Sequence, residues 1–281
     1  MNNALLSNID LTGVIDMHIH TAPDVRPRYC DDIQAAQEAK DAGMQAILLK
    51  SHITITADRA AIAEKVVQGI RVFGGIVLNS QVGGLNPAAV EAALKMGAKE
   101  IWMPTSDAMN EKMINGLEGG ISIFAEDKKI KPEVHEILDL IHSKDSILAT
   151  AHLSVEEIIA LVEKACAMGL RKILITHPDS PLIRMPISTQ IQLAEKGVYF
   201  ERCFVDTTPL MKCFTSIREI ASVIRKVGIN STILTTDFGV ASLPPPVQGM
   251  KQFIYGLTQE NMSKDEIQVM VKDNPANMLG L

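Results

Sequence analysis

Short runs of β-branched and aliphatic residues alternate along this chain with amphipathic stretches of helical period. The strand-like runs are 13–18, 45–49, 72–78, 99–103, 146–151, 172–176, 198–204 and 232–236. Helical patterns follow them at about 31–42, 56–67, 86–96, 155–166, 186–196 and in a stretch carrying Phe214, Ile217, Ile220, Ala221 and Ile224, with two more starting near Val247 and Lys264. Val155, Ile158, Ile159, Val162 and Cys166 form one such apolar stripe. Pro87 suits a first helical turn and Gly97 a helix end. Strands that are apolar on both sides belong in a parallel sheet covered by helices. Eight strand-helix units therefore predict an α/β fold, a (β/α)₈ TIM barrel of one domain over 1–281. The rhythm breaks once, between the fourth and fifth runs. Residues 104–145 are expected to form an insertion, with a small hairpin around Glu126-Asp127 and a helix after Pro132.

In such a barrel the active site lies at the C-terminal ends of the strands. The first run ends in His18-Ile19-His20, the second in Lys50-Ser51-His52, the fifth in His152, the sixth in His177 and the eighth in Asp237. His18 and His20 lie two apart on a strand and point to one face, with Asp16 deeper on the same side. Imidazoles converging on one cavity suit a divalent transition metal, with zinc, manganese, iron and nickel all compatible. Glu201 shares the inward parity of Cys203 and can reach the site as base or ligand, or pair with Arg202. Arg26 and Arg28 follow the first strand and can supply anion contacts. His135 and His142 fall on the helix of the insertion and are expected at the surface.

Composition narrows the partners. The 281 residues carry 27 basic and 33 acidic side chains, a net charge of −6, which disfavours nucleic acid and anionic membranes. No apolar run approaches the ~20 residues that cross a bilayer, and 1–13 do not read as a secretory signal. The four cysteines, Cys30, Cys166, Cys203 and Cys213, form no CxxC pair. They read as reduced structural residues in a cytoplasmic protein. The kinase-like Asp237-Phe238-Gly239 has no Gly-rich or catalytic loop to accompany it.

His18-x-His20, His152, His177 and Asp237, in this order on these strands, resemble the amidohydrolase superfamily of metal-dependent hydrolases. Asn274-Pro275-Ala276-Asn277-Met278-Leu279-Gly280-Leu281 resembles that superfamily's C-terminal helix motif. The resemblance implies that His18, His20 and Asp237 bind the more buried metal. His152 and His177 then bind a second ion, or His152 completes a one-ion site while His177 polarises the substrate. Asp237 is implied as the proton acceptor and donor. The bridging lysine or glutamate usual at the end of strand four is absent, so one ion, most simply Zn²⁺, is preferred over two. Lys50 is a substrate contact, a structural cation or, if carboxylated, a substitute bridge. His52 is a ligand, a supporting donor or a plain loop residue. The expected function is hydrolysis of an amide, lactone or other ester bond in a small molecule by a possible homo-oligomer. A metal-dependent phosphoesterase, a one-metal decarboxylase or a silent ligand-binding barrel are the alternatives.

Overall fold

The computed structural model describes residues 6–211 and 214–281; Cys213 lies outside them. Eight strands form one sheet: β1 (Ile15–His20), β2 (Ala46–Lys50), β3 (Arg71–Val77), β4 (Glu100–Trp102), β5 (Ile147–Ala149), β6 (Ile173–Thr176), β7 (Tyr199–Cys203) and β8 (Thr232–Thr235). They pair in sequence order, every pair parallel. The last strand returns to the first just past its end. Asp237 N donates to the His18 carbonyl at 2.9 Å and His20 N to the Phe238 carbonyl at 2.8 Å. The fold is the expected (β/α)₈ barrel.

The helices are α1 (Asp32–Asp41), α2 (Ala57–Val66), α3 (Pro87–Lys95), α4 (Met109–Ile114), α5 (Pro132–Ser143), α6 (Val155–Ala167), α7 (Ile187–Ala194), α8 (Ile217–Val227), α9 (Pro246–Gln259), α10 (Lys264–Gln268) and α11 (Asn274–Leu279). Their starts follow local chemistry. Ser154, Ser216 and Ser263 each close a reciprocal capping box with the glutamate three residues on. The buried face of α6 is Ile158, Leu161, Val162 and Ala165, a step round from the stripe read in the sequence, with Ile159 at its margin. Phe214 precedes α8 and is 60% exposed. In the C-terminal motif, the Asn274 amide donates to the carbonyls of Ile229 (2.8 Å) and Thr232 (2.7 Å), tying α11 to the start of β8.

Within 104–145, α5 buries Val134, Ile137, Leu138 and Ile141 and packs on α3 and β5. It is the crossover helix of its unit, so the added length is 104–131. That segment carries α4 and the small hairpin, with an antiparallel bridge between Phe124 and Ile130. His142 is exposed and His135 half-buried on α5.

Three strand exits share a backbone turn. Ala151, His177 and Asp237 follow β5, β6 and β8 in the left-handed region, with φ of 50°, 52° and 51°. Such residues cost about 1–3 kcal/mol each and persist where surrounding structure enforces them. At β6 and β8 the strained residue is itself polar; at β5 it is Ala151, and His152 comes one position later. Gly239 completes the seam at φ 126°, where an added Cβ would stand 1.7 Å from the His20 carbonyl oxygen. Gly239→Ala combines overpacking with backbone strain, and we expect it to destabilise the fold by about 3–5 kcal/mol. Urea unfolding measures this, and an unchanged midpoint would show that the seam yields freely.

Candidate metal centre

The site is built on the carboxylate of Asp237. His18 Nε2 and His20 Nε2 both stand 3.0 Å from its Oδ1, and His177 Nε2 stands 3.3 Å from its Oδ2. All four side chains are buried or nearly so. Burial opposes the charge on Asp237, yet His18 and the hydrogen bonds of the imidazoles outweigh it and hold the carboxyl well below its usual range. Burial likewise opposes charge on His18, but Asp237 and Glu201 hold the ring well above its ordinary value. His177 is raised in the same way, against burial, by Cys203 and Asp206.

Behind the imidazoles stands a ring of carboxylates. His18 Nδ1 lies 3.1 Å from Glu201 Oε1, His177 Nδ1 lies 3.0 Å from Asp206 Oδ2, and His152 Nδ1 bonds Glu111 Oε2. An ionised carboxylate only accepts, so each Nδ1 carries the hydrogen and each Nε2 is turned inward. His20 differs. Its Nδ1 faces Arg28 Nη2 at 3.4 Å, and a guanidinium only donates. Burial pushes His20 down to about 3, so the ring is neutral, with its hydrogen on Nε2 toward Asp237.

β1 carries a bulge where its register against β2 shifts between Asp16 and Ile19. Bulges re-aim side chains beside active sites. Here Asp16 Oδ1 accepts from the His18 amide (3.2 Å) and the Thr236 amide (3.1 Å), while Oδ2 meets the Thr236 hydroxyl at 2.5 Å. The Asp16 carboxyl thus ties the two strands that supply the hub. Burial raises it to about 7.

Lys50 is almost wholly buried, its Nζ 3.0 Å from His18 Nε2 and 5.1 Å from the Trp102 ring centroid. His52 stacks on His20 with centroids 4.7 Å apart and bonds Thr105 Oγ1 at 2.8 Å. Glu201 bonds His18, and Arg202 instead pairs with Asp179 and Gln190. Arg26 is exposed, whereas Arg28 is engaged by Asp24 at 2.8 Å. A cavity of about 210 Å³ opens above the hub, lined by His20, Arg26, Lys50, His52, His152, His177 and Asp237 among others.

Sequence reasoning missed Glu111, Asp206 and Glu100. Glu111 sits on a short helix in the added segment and Asp206 in a 3₁₀ turn after β7, where no periodicity marks them. Glu100 had a signal, a charge inside an apolar strand in phase with Trp102. It is fully buried without a hydrogen-bond partner on either oxygen among the described residues, and burial with nearby Glu201 holds it well above the usual range. Cys203, read as structural, belongs to the hub. His18, His177, Cys203 and Asp237 offer ligand atoms all within 4.8 Å of one another. Two imidazoles, a carboxylate and a thiol, with carboxylates fixing the imidazole tautomers, are a donor set that fits a divalent transition metal.

Comparison places this architecture among known barrels. An amidohydrolase from Pseudomonas aeruginosa superposes with a TM-score of 0.63 at 12% identity, covering 99% of this chain and 97% of that one. An organophosphorus hydrolase from Deinococcus radiodurans gives 0.64 at 12% identity, covering 96% and 93%. A 2,6-dihydroxybenzoate decarboxylase gives 0.56 at 9% identity, covering 96% and 100%. At these identities the likeness is one of fold, a parallel eight-stranded barrel with helices between the strands. Residues 13–201 match a family of unknown function (DUF6282), and the chain belongs to that family. No curated protein sequence matches it. No helix among the described residues is long and apolar enough to cross a membrane.

Proposed function

We propose that this protein is a metal-dependent hydrolase that cleaves an amide, lactone or other ester bond of a small molecule. The observation that carries the reading is the convergence of three histidine Nε2 atoms on the Asp237 carboxylate, two of them from imidazoles backed by carboxylates. His18, His177 and Asp237 would hold one divalent ion with Cys203 within reach as a fourth donor, while His20 keeps its hydrogen on Nε2 toward Asp237. His152 lies at the cavity edge, held by Glu111. A bound ion of this kind supplies an acidified water and stabilises charge developing on a carbonyl oxygen.

The chain's own groups do the rest. Asp237 accepts the proton of the attacking water and returns it to the leaving group, a general acid-base role. Glu201 and Asp206 keep His18 and His177 in one tautomer throughout. Lys50 and His52 contact the substrate from the β2 side, and the cavity admits only a compact molecule. Zinc in a reducing cytoplasm is the simplest setting, since Cys30, Cys166 and Cys203 are free thiols. A one-ion decarboxylase is the second reading. It is favoured by β4, which ends in the buried Trp102 and Met103 rather than a bridging side chain.

Elemental analysis of protein purified without chelator tests the core of the proposal. We expect about one divalent ion per chain, the occupancy of a single site that keeps a position open for water. Its removal by chelation is expected to lower the melting temperature and abolish turnover, with both restored by Zn²⁺. Protein that comes metal-free from metal-replete medium overturns the reading. Carbon dioxide release without incorporation of solvent oxygen would select the decarboxylase.

A further inference from the structure

The charge balance around the cavity identifies a substrate class, an inference that rests on the function proposed above. Two carboxylates line the cavity, Glu111 and Asp237, and both are already engaged by imidazoles. The cations are not balanced in the same way. Arg28 is held by Asp24. Among the described residues the Lys50 ammonium has no carboxylate at hydrogen-bond distance, only His18 and the face of Trp102. The Arg26 guanidinium has no hydrogen-bond or ion-pair partner among the described residues, while its field helps to lower Glu111. These cations come from the β1 and β2 sector. The loops after β6 and β7, across the barrel mouth from β2, contribute Leu182, Val205 and Met211. The cavity is thus cationic on one side, apolar on the other and centred on the hub.

Size sets a further bound. A dry cavity of about 150 Å³ accepts benzene, so about 210 Å³ holds one ring and a small substituent. We infer that the substrate is a compact carboxylate of about one ring's bulk. Its carboxylate is gripped by Arg26, its apolar body lies against Leu182, Val205 and Met211, and its reacting bond lies over Asp237. Arginine suits this role because its planar fork meets a carboxylate with two parallel hydrogen bonds.

Calorimetric titration of the metal-replete protein with benzoate, benzamide and phenylphosphonate tests the inference. The first two differ almost solely in charge. Benzoate is expected to bind more tightly than benzamide by about tenfold or more, the effect of one charge-assisted hydrogen bond. Arg26→Ala, at an exposed position that leaves the core untouched, is expected to erase that preference while metal content stays unchanged. Equal binding of benzoate and benzamide overturns the proposal. So does a preference that survives in Arg26→Ala, because Lys50 or the metal would then be its source. Tighter binding of phenylphosphonate than of benzoate overturns the carboxylate assignment. Metal content is read separately, so a metal-free protein that still prefers benzoate through Arg26 would sink the hydrolase reading and spare this one.

Discussion

Asp237→Asn is expected to reduce turnover by about 10²–10⁴-fold, the range for loss of a positioned general acid-base group, with the barrel intact. The substitution keeps the shape of the side chain and removes its charge. In the native hub one carboxylate faces three imidazoles at 3.0, 3.0 and 3.3 Å, and among the described residues no other carboxylate faces their Nε2 atoms. An amide presents one acceptor oxygen where two served, and its NH₂ group turns donors toward donors. Metal affinity falls together with proton transfer, so kinetics at saturating metal are needed to separate the two effects. With the ion restored, turnover that recovers fully would assign Asp237 to metal binding alone. Turnover that stays low with full metal occupancy is the outcome expected of a proton carrier. Undiminished activity without added metal would remove Asp237 from the reaction altogether.

The second large effect is on folding. Asp16→Ala leaves the buried amides of His18 and Thr236 without their acceptor. Each orphaned group costs about 1–3 kcal/mol, so we expect a loss of about 2–5 kcal/mol and a melting point lower by about 5–15 °C. Asp16→Asn should be far milder. Its oxygen still accepts from both amides, and its NH₂ donates to the Thr236 hydroxyl, which passes a hydrogen on toward the His18 carbonyl 3.4 Å away. The pair also carries a pH signature. Burial raises Asp16 to about 7 from 3.8, so between these values the native state holds a proton that the unfolded chain has released. The Asp16 contribution to stability is therefore full below about 3.8, falls as pH climbs toward 7 and is flat above it. Asp16→Asn removes that slope. Denaturant midpoints at pH 5 and pH 7.5 measure it, and an identical slope in both proteins would place the protonation elsewhere.

The order and type of the eight units were legible because parallel strands write themselves as short apolar runs between helical stripes. His18, His20, His152, His177 and Asp237 stood out because each closes such a run. What escaped was the partner of each histidine. Glu201 was in view because it lies on a strand, where parity says which way it points. Asp206 and Glu111 lie in a 3₁₀ turn and a one-and-a-half-turn helix, where side-chain direction has no period to read. Helix margins also slipped. The buried stripe of α6 runs through Leu161 and Ala165, because the contact face is set by what the barrel offers rather than by local hydrophobicity. The DFG-like tripeptide had no account in the sequence beyond its failure as a kinase motif. In the fold each residue has a place: Asp237 at the hub, the Phe238 carbonyl on His20, and Gly239 against the His20 backbone.

That seam joins groups 220 positions apart, as in the Thr236–Asp16 contact. At roughly 5–20 residues per second, a ribosome needs about 10–45 seconds after making Asp16 before its partner exists. Late in that interval a nascent barrel of seven strands holds two open edges and a cluster of histidines that still lacks Asp237. Loop closure is an entropic cost that rises only slowly with length, but contacts of this range form late. The centre that would bind the ion and the join that closes the barrel are therefore completed by the same event. The binding groups do not exist as a set until Asp237 has been made.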